Sequence, residues 1–191
     1  MDKPHRNGTR PLIIGSVSIG GGAPVAVQSM TNTDTRDQEA TLDQIRRLHA
    51  AGCELVRLAV PDSKAASALK GIALRSPVPL IADIHFDHRL AIAALDAGLQ
   101  GLRINPGNIG GEDRVQKVAE ACLRHQIPIR IGVNGGSLEK ELRSRYGAVT
   151  PEALVESAAK QAEALERFGF TDIALSLKSS SVPLTVEANR L

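Results

Sequence analysis

Apolar and polar positions switch period repeatedly along this chain. Short apolar runs that alternate with polar residues are followed by longer stretches with apolar residues three or four apart. The first pattern predicts strands and the second amphipathic helices. Two strand-like runs come first, Leu12 to Ile19 and Val25 to Met30, around Gly20-Gly21-Gly22. A helix is predicted over Asp37 to Ala51, with Leu42, Ile45 and Leu48 on one stripe and Gly52 as its stop. Strand Leu55 to Val60, helix Ser63 to Leu74, strand Pro79 to His85 and helix Asp87 to Ala97 follow. A further strand in GLRIN starts at Gly101 and runs into a polar Gly/Pro turn. Helix Glu112 to His125 places Val115, Val118, Ala119 and Cys122 at helical spacing, ahead of strand Pro128 to Asn134. A short helix near Ser137 to Arg145 precedes a longer one that opens at Thr150-Pro151, a capping residue with proline behind it, and runs to about Phe168. Strand Asp172 to Lys178 comes next, and LTVEANRL reads as the opening of another helix.

Strict strand–helix alternation with short loops implies parallel strands joined by right-handed crossovers. Both a doubly wound open sheet and a TIM barrel satisfy that rule. The strands discriminate, because a doubly wound sheet meets helices on both faces and its central strands are apolar throughout. Here one face of the strands carries Arg57 and Ala59, Asp83 and His85, Arg103 and Asn105, Arg130, Gly132 and Asn134, Ser176 and Lys178. Such residues suit a barrel lumen and its C-terminal mouth. The expected fold is therefore α/β, a TIM-type barrel of about six β/α units with an N-terminal hairpin. Eight strands and about 250 residues make the usual barrel, so a chain of 191 residues is expected to be incomplete, with open edges at its first and sixth strands. Residues 1–9 are expected to form a flexible N-terminus and 10–191 one truncated barrel domain.

The glycine run invites a phosphate-loop reading, but such a loop opens a helix. Another strand-like run follows here, headed by Pro24, which favours a hairpin turn. The net charge of +2 raises the question of nucleic acid, yet aromatic residues make up only 2% of the chain and no basic run stands out. Without stacking platforms, single-strand binding is excluded as the leading reading. No apolar run is long enough for a membrane span, and the first residues, MDKPHRNGTR, lack a signal peptide's apolar stretch, so a cytoplasmic location is expected. Cys53 and Cys122 are far apart, without a C-x-x-C partner, and are expected to be buried thiols.

Four cations, Arg57, Arg103, Arg130 and Lys178, end four strands on the lumen side. One lumen carboxylate, Asp83, cannot offset them, and burying unpaired ions costs several kcal/mol. An anionic ligand with more than one charge would. Arginine's planar fork matches phosphate or carboxylate oxygens two at a time, and Asn105, Asn134 and Ser176 add neutral donors. His85 suits a general acid, a phosphate donor or a plain hydrogen-bonding residue. Two groups, Asp83 and His85, do not make a metal site, and no nucleophile–base grouping is legible. The residues give a polyanion pocket without an assigned catalytic residue.

The motifs VQSMTNTDT (Val27 to Thr35), ADIHFD (Ala82 to Asp87), LRINPGNIG (Leu102 to Gly110), IRIGVNGGSLE (Ile129 to Glu139) and TPEALVESA (Thr150 to Ala158) resemble the 4-hydroxy-3-methylbut-2-enyl diphosphate synthase family of non-mevalonate isoprenoid biosynthesis. The resemblance runs from Thr9 onward. It implies a TIM barrel that binds 2-C-methyl-D-erythritol 2,4-cyclodiphosphate and an oxidoreductase that opens its ring with two electrons from flavodoxin or ferredoxin. It implies that Arg57, Arg103, Arg130 and Lys178 hold the diphosphate while Asp83, His85, Asn105, Asn134 and Ser176 line the pocket. It further implies a homodimer and a 4Fe-4S cluster held in a separate C-terminal domain by three cysteines and a glutamate. This sequence lacks that pattern, so no cluster is expected on it and no turnover by it alone. The competing readings are a non-catalytic anion-binding barrel module or a barrel resembling dihydropteroate synthase.

Overall fold

The structure, a computed structural model, describes residues 8–191. The expectation of a flexible N-terminus falls mostly on residues 1–7, which lie outside the described residues. Two short strands, β1 (Leu12–Ile14) and β2 (Val17–Ile19), form an antiparallel hairpin, with Leu12 opposite Ile19 and Ile14 opposite Val17. The first apolar run thus folds back on itself at Gly15-Ser16, which corrects the expectation of a hairpin turn at Gly20 to Gly22. A two-residue connection closes a hairpin with less ordering than a longer one. Gly15 has φ 58°, and a Cβ there would meet Pro79 Cγ at 2.7 Å, so no larger residue fits the turn. The three later glycines form a left-handed link that leads from the hairpin to the barrel.

The second run supplies β3 (Gln28–Met30), which pairs parallel with β4 (Leu55–Ala59) and not with the hairpin. Strands β5 (Leu80–Asp83), β6 (Gly101–Ile104), β7 (Ile129–Asn134) and β8 (Ile173–Lys178) continue the sheet in sequence order, all parallel. Among the described residues β3 and β8 each have a neighbour on one side only. The six strands curl into an open TIM-type barrel.

Helices α1 (Gln38–Ala50), α2 (Ser63–Arg75), α3 (His88–Asp96), α5 (Glu112–His125), α7 (Pro151–Glu166) and α8 (Val182–Ala188) follow the successive strands. Between them lie the single turn α4 (Pro106–Ile109) and the short α6 (Lys140–Tyr146). Asp37, Asp62, Asp87, Thr150 and Ser181 cap their helices by accepting a backbone N–H two or three residues on. The strands' outward residues, among them Val56, Leu58, Ala82, Leu102, Ile104, Ile129 and Ile131, bury against Leu42, Ile45, Leu69, Ile72, Leu95 and Val118 in one continuous core. Each fully buried Leu or Ile contributes about 1.5–3 kcal/mol.

A second, small cluster of Ile14, Leu55 and Ile81, with Val17 and Ile19 against it, joins the hairpin to the lower lumen. The hairpin is therefore a plug under the N-terminal ends of the strands. Its apolar residues cover the lower lumen beside Leu55 and Ile81. No helix among the described residues is long and apolar enough to cross a membrane.

Candidate functional site

Strand alternation aims Arg57, Asp83, Arg103 and Arg130 into the lumen, and the parallel register sets them side by side. Asp83 faces Arg103, Arg103 faces Arg130, Gly132 faces Ser176, and Asn134 faces Lys178. Together with His85 these residues line a cavity of about 190 Å³ at the C-terminal mouth. Eight of the nine residues expected from the sequence thus share one cavity. Asn105 does not line it. It stands just past β6 as the residue before α4, and its Oδ1 is buried without a hydrogen-bond partner. His85 is in the cavity but not on a strand: β5 stops at Asp83, and His85 sits in the bend before α3, half exposed.

Asp83, 4% exposed, is the hub. Its Oδ1 accepts from Arg103 Nη1 at 3.2 Å, and its Oδ2 lies 3.5 Å from Arg57 Nε. His85 Nε2 is 3.6 Å from Oδ1, too far for a hydrogen bond. Arg103 also donates to the Gly132 carbonyl at 3.4 Å. Arg130 makes no ion pair with a carboxylate among the described residues; its Nη1 donates to Gln28 Oε1 at 2.8 Å. Burial, and then the nearby Arg57 charge, push the Arg130 guanidinium below its ordinary pKa, the direction expected for a partly buried cation beside another. Lys178 is exposed and makes no ion pair among the described residues. Four cations around one carboxylate leave three positive charges unbalanced. Such an arrangement can hold a multiply charged anion at low reorganisation cost.

Three contributors escaped the sequence reading as site residues. Gln28 and Met30 reach the lumen from β3, and Met30 Sδ lies 3.3 Å from Arg57 Nε. Period-2 alternation around Ser29 was the available signal. Gly132 was placed on the lumen face, but its purpose needs coordinates: a Cβ there would lie 2.5 Å from Arg103 Nε and Nη2.

Two larger cavities flank the hairpin: one of about 600 Å³ lies between it, β8, α7 and the end of α8, and one of about 740 Å³ lies beside Gln28 and Leu55 and reaches Arg130. The former is lined mainly by apolar side chains such as Leu12, Val155 and Leu175. Of the four cations only Arg130 touches either of them; Arg57, Arg103 and Lys178 line neither. The described residues do not fit an iron–sulfur cluster. No group of three or more His, Cys, Asp or Glu among them could hold a metal. Cys53 is buried and points its thiol at the Val27 and Leu55 carbonyls. Cys122 is buried in α5, where desolvation pushes its pKa up to about 12, unsuited to a thiolate ligand.

Fold and site define a TIM-type barrel with a cationic C-terminal mouth. The chain belongs to the family of GcpE TIM-barrel domains, whose model matches residues 9–191. Among curated relatives, the 4-hydroxy-3-methylbut-2-en-1-yl diphosphate synthase (flavodoxin) of Caldanaerobacter subterraneus subsp. tengcongensis is 57% identical over 183 residues. The protein of the same name from Lawsonia intracellularis is 59% identical over 186. The matches cover 96% and 97% of this chain and 52% of each relative. The chain therefore spans about half the length of the curated relatives it matches.

Among solved structures, dihydropteroate synthase of Yersinia pestis superposes with TM-score 0.62 at 14% identity, over 86% of this chain and 61% of that one. A truncated 3-deoxy-D-arabino-heptulosonate 7-phosphate synthase from Thermotoga maritima gives 0.67 at 12%, over 95% and 64%. At these identities the likeness is one of fold alone and gives the dihydropteroate-synthase alternative no chemistry.

Proposed function

We propose that this chain is the substrate-binding barrel of a 4-hydroxy-3-methylbut-2-enyl diphosphate synthase, which reductively opens 2-C-methyl-D-erythritol 2,4-cyclodiphosphate in non-mevalonate isoprenoid biosynthesis. The observation that carries the proposal is the charge imbalance: four cations meet over one buried carboxylate, itself already engaged by Arg57 and Arg103. Arg57, Arg103, Arg130 and Lys178 hold the diphosphate. Asp83 fixes the two arginines it touches, while Asn134 and Ser176 bond remaining oxygens. His85 stands at the rim of the same cavity; Asn105, outside its lining, sits at the end of β6 with its Oδ1 unpartnered.

Electron transfer from flavodoxin or ferredoxin belongs to a cluster-bearing part outside this chain, in a cytoplasmic enzyme that is a homodimer when whole. Residues 1–191 by themselves bind substrate and do not turn it over. Calorimetric titration of the chain with the cyclodiphosphate tests the reading. Charge-assisted bonds contribute about 1.5–3 kcal/mol each, so Arg103→Ala is expected to weaken binding by about ten- to a hundredfold. A cooperatively folded chain that binds no cyclodiphosphate, or an Arg103→Ala variant that binds it equally well, overturns the proposal.

A further inference from the structure

Gln28 and Arg130 lie on β3 and β7, strands separated by three others in the sheet. Their side chains nevertheless meet at 2.8 Å, so the bond spans the lumen. Arginine only donates, which fixes the Gln28 oxygen as the acceptor. Two positions on, Met30 offers Arg57 a thioether at 3.3 Å. The lumen face of β3 thus meets two site arginines with uncharged acceptors only. The one carboxylate of the cavity is committed to Arg57 and Arg103. An acidic residue at 28 would hold Arg130 more tightly, but it would cancel the charge that an anion needs.

We infer that Gln28 is a positioning residue of the anion site: it aims Arg130 across the lumen without neutralising it. The inference rests on the anion-binding role proposed above. It assigns a purpose to the strand that carries none of the site's charges. It also explains why a half-buried guanidinium is met by an amide where a carboxylate would bind it better. A bond between neutral acceptor and cation orients the fork, and the full charge remains for the ligand.

The test compares the parent chain with Gln28→Met and Gln28→Glu, titrated calorimetrically with inorganic pyrophosphate, with urea unfolding measured on each. Gln28→Met keeps the volume and removes the acceptor, so a loss of about threefold in affinity is expected from a loosened Arg130. Gln28→Glu keeps the tether and adds a lumen carboxylate. Repulsion at an effective dielectric of about 20 makes a loss on the order of thirtyfold or more the expected result, with a shallower salt dependence. A merely structural Gln28 would make affinity follow stability in both variants. Parent-like affinity in both, or equal losses that track unfolding midpoints, overturns the inference while leaving the anion site standing. Absence of pyrophosphate binding by the folded parent overturns the anion reading itself, and this inference with it.

Discussion

Gly132→Ala is the substitution whose effect can be worked most directly from the structure. A Cβ at this position would lie 2.5 Å from both Nε and Nη2 of Arg103 and 2.9 Å from its Cζ. Ordinary contact needs about 3.5 Å, so the guanidinium must retreat by about 1 Å. It is the end of a flexible side chain and can do so, but Arg103 Nη1 is held 3.2 Å from Asp83 Oδ1. A shift of that size takes the bond out of hydrogen-bonding range. Asp83 keeps Arg57 at 3.5 Å, so the expected destabilisation is about 1–2 kcal/mol and not that of a fully orphaned carboxylate. Anion affinity is expected to fall further, by about ten- to a hundredfold, because a misplaced guanidinium fork loses its paired bonds to the anion. Urea unfolding reads the first number and calorimetry with pyrophosphate the second. Gly136→Ala is the control, since a Cβ there meets nothing within 4 Å. Parent-like pyrophosphate affinity in Gly132→Ala refutes the claim that this glycine makes room for Arg103.

Asp83→Asn removes the hub of a buried charge cluster and is expected to lower stability by about 3–5 kcal/mol; an unfolding midpoint within error of the parent contradicts the hub. Asp87, which caps α3, is held down to about pKa 2 from 3.8, chiefly by the Arg89 side chain and then by the Arg89 backbone N–H. The fold favours its ionised form, so its contribution is complete above about pH 4 and is lost as pH falls toward 2. The stability difference between parent and Asp87→Asn is expected to shrink over that window; a difference independent of pH contradicts the assignment. Cys53 and Cys122 are buried, and burial pushes Cys122 up to about 12, so neither thiol should react with a thiol reagent at pH 8 until the chain unfolds. Rapid labelling of the folded chain opposes that expectation.

The barrel was legible because its outward strand residues and helix stripes follow two clean periods, and because the inward face is too polar to meet helices. Arg57, Arg103 and Arg130 could be placed on one surface by alternation alone. The hairpin was misread because Gly20 to Gly22 is the louder turn signal, while Gly15-Ser16 supplies the two-residue turn that pairs β1 with β2. Alternation also carried His85 onto a strand, yet β5 ends at Asp83 and the helix cap at Asp87 bends the chain between them. Asn105 falls outside the cavity's lining, at the point where β6 gives way to the helical turn that Pro106 begins. Gln28's role lay beyond pattern reading altogether. Its partner is 102 residues away, and only the curl of the sheet brings the two strands face to face.

The most direct measurement is a structure of the chain with 2-C-methyl-D-erythritol 2,4-cyclodiphosphate bound. Phosphoryl oxygens bonded to the guanidinium groups of Arg57, Arg103 and Arg130, with Lys178 at the rim, are the expected result. Ligand in either of the two larger cavities beside the hairpin, with Arg57, Arg103 and Lys178 untouched, would contradict the assignment of the site.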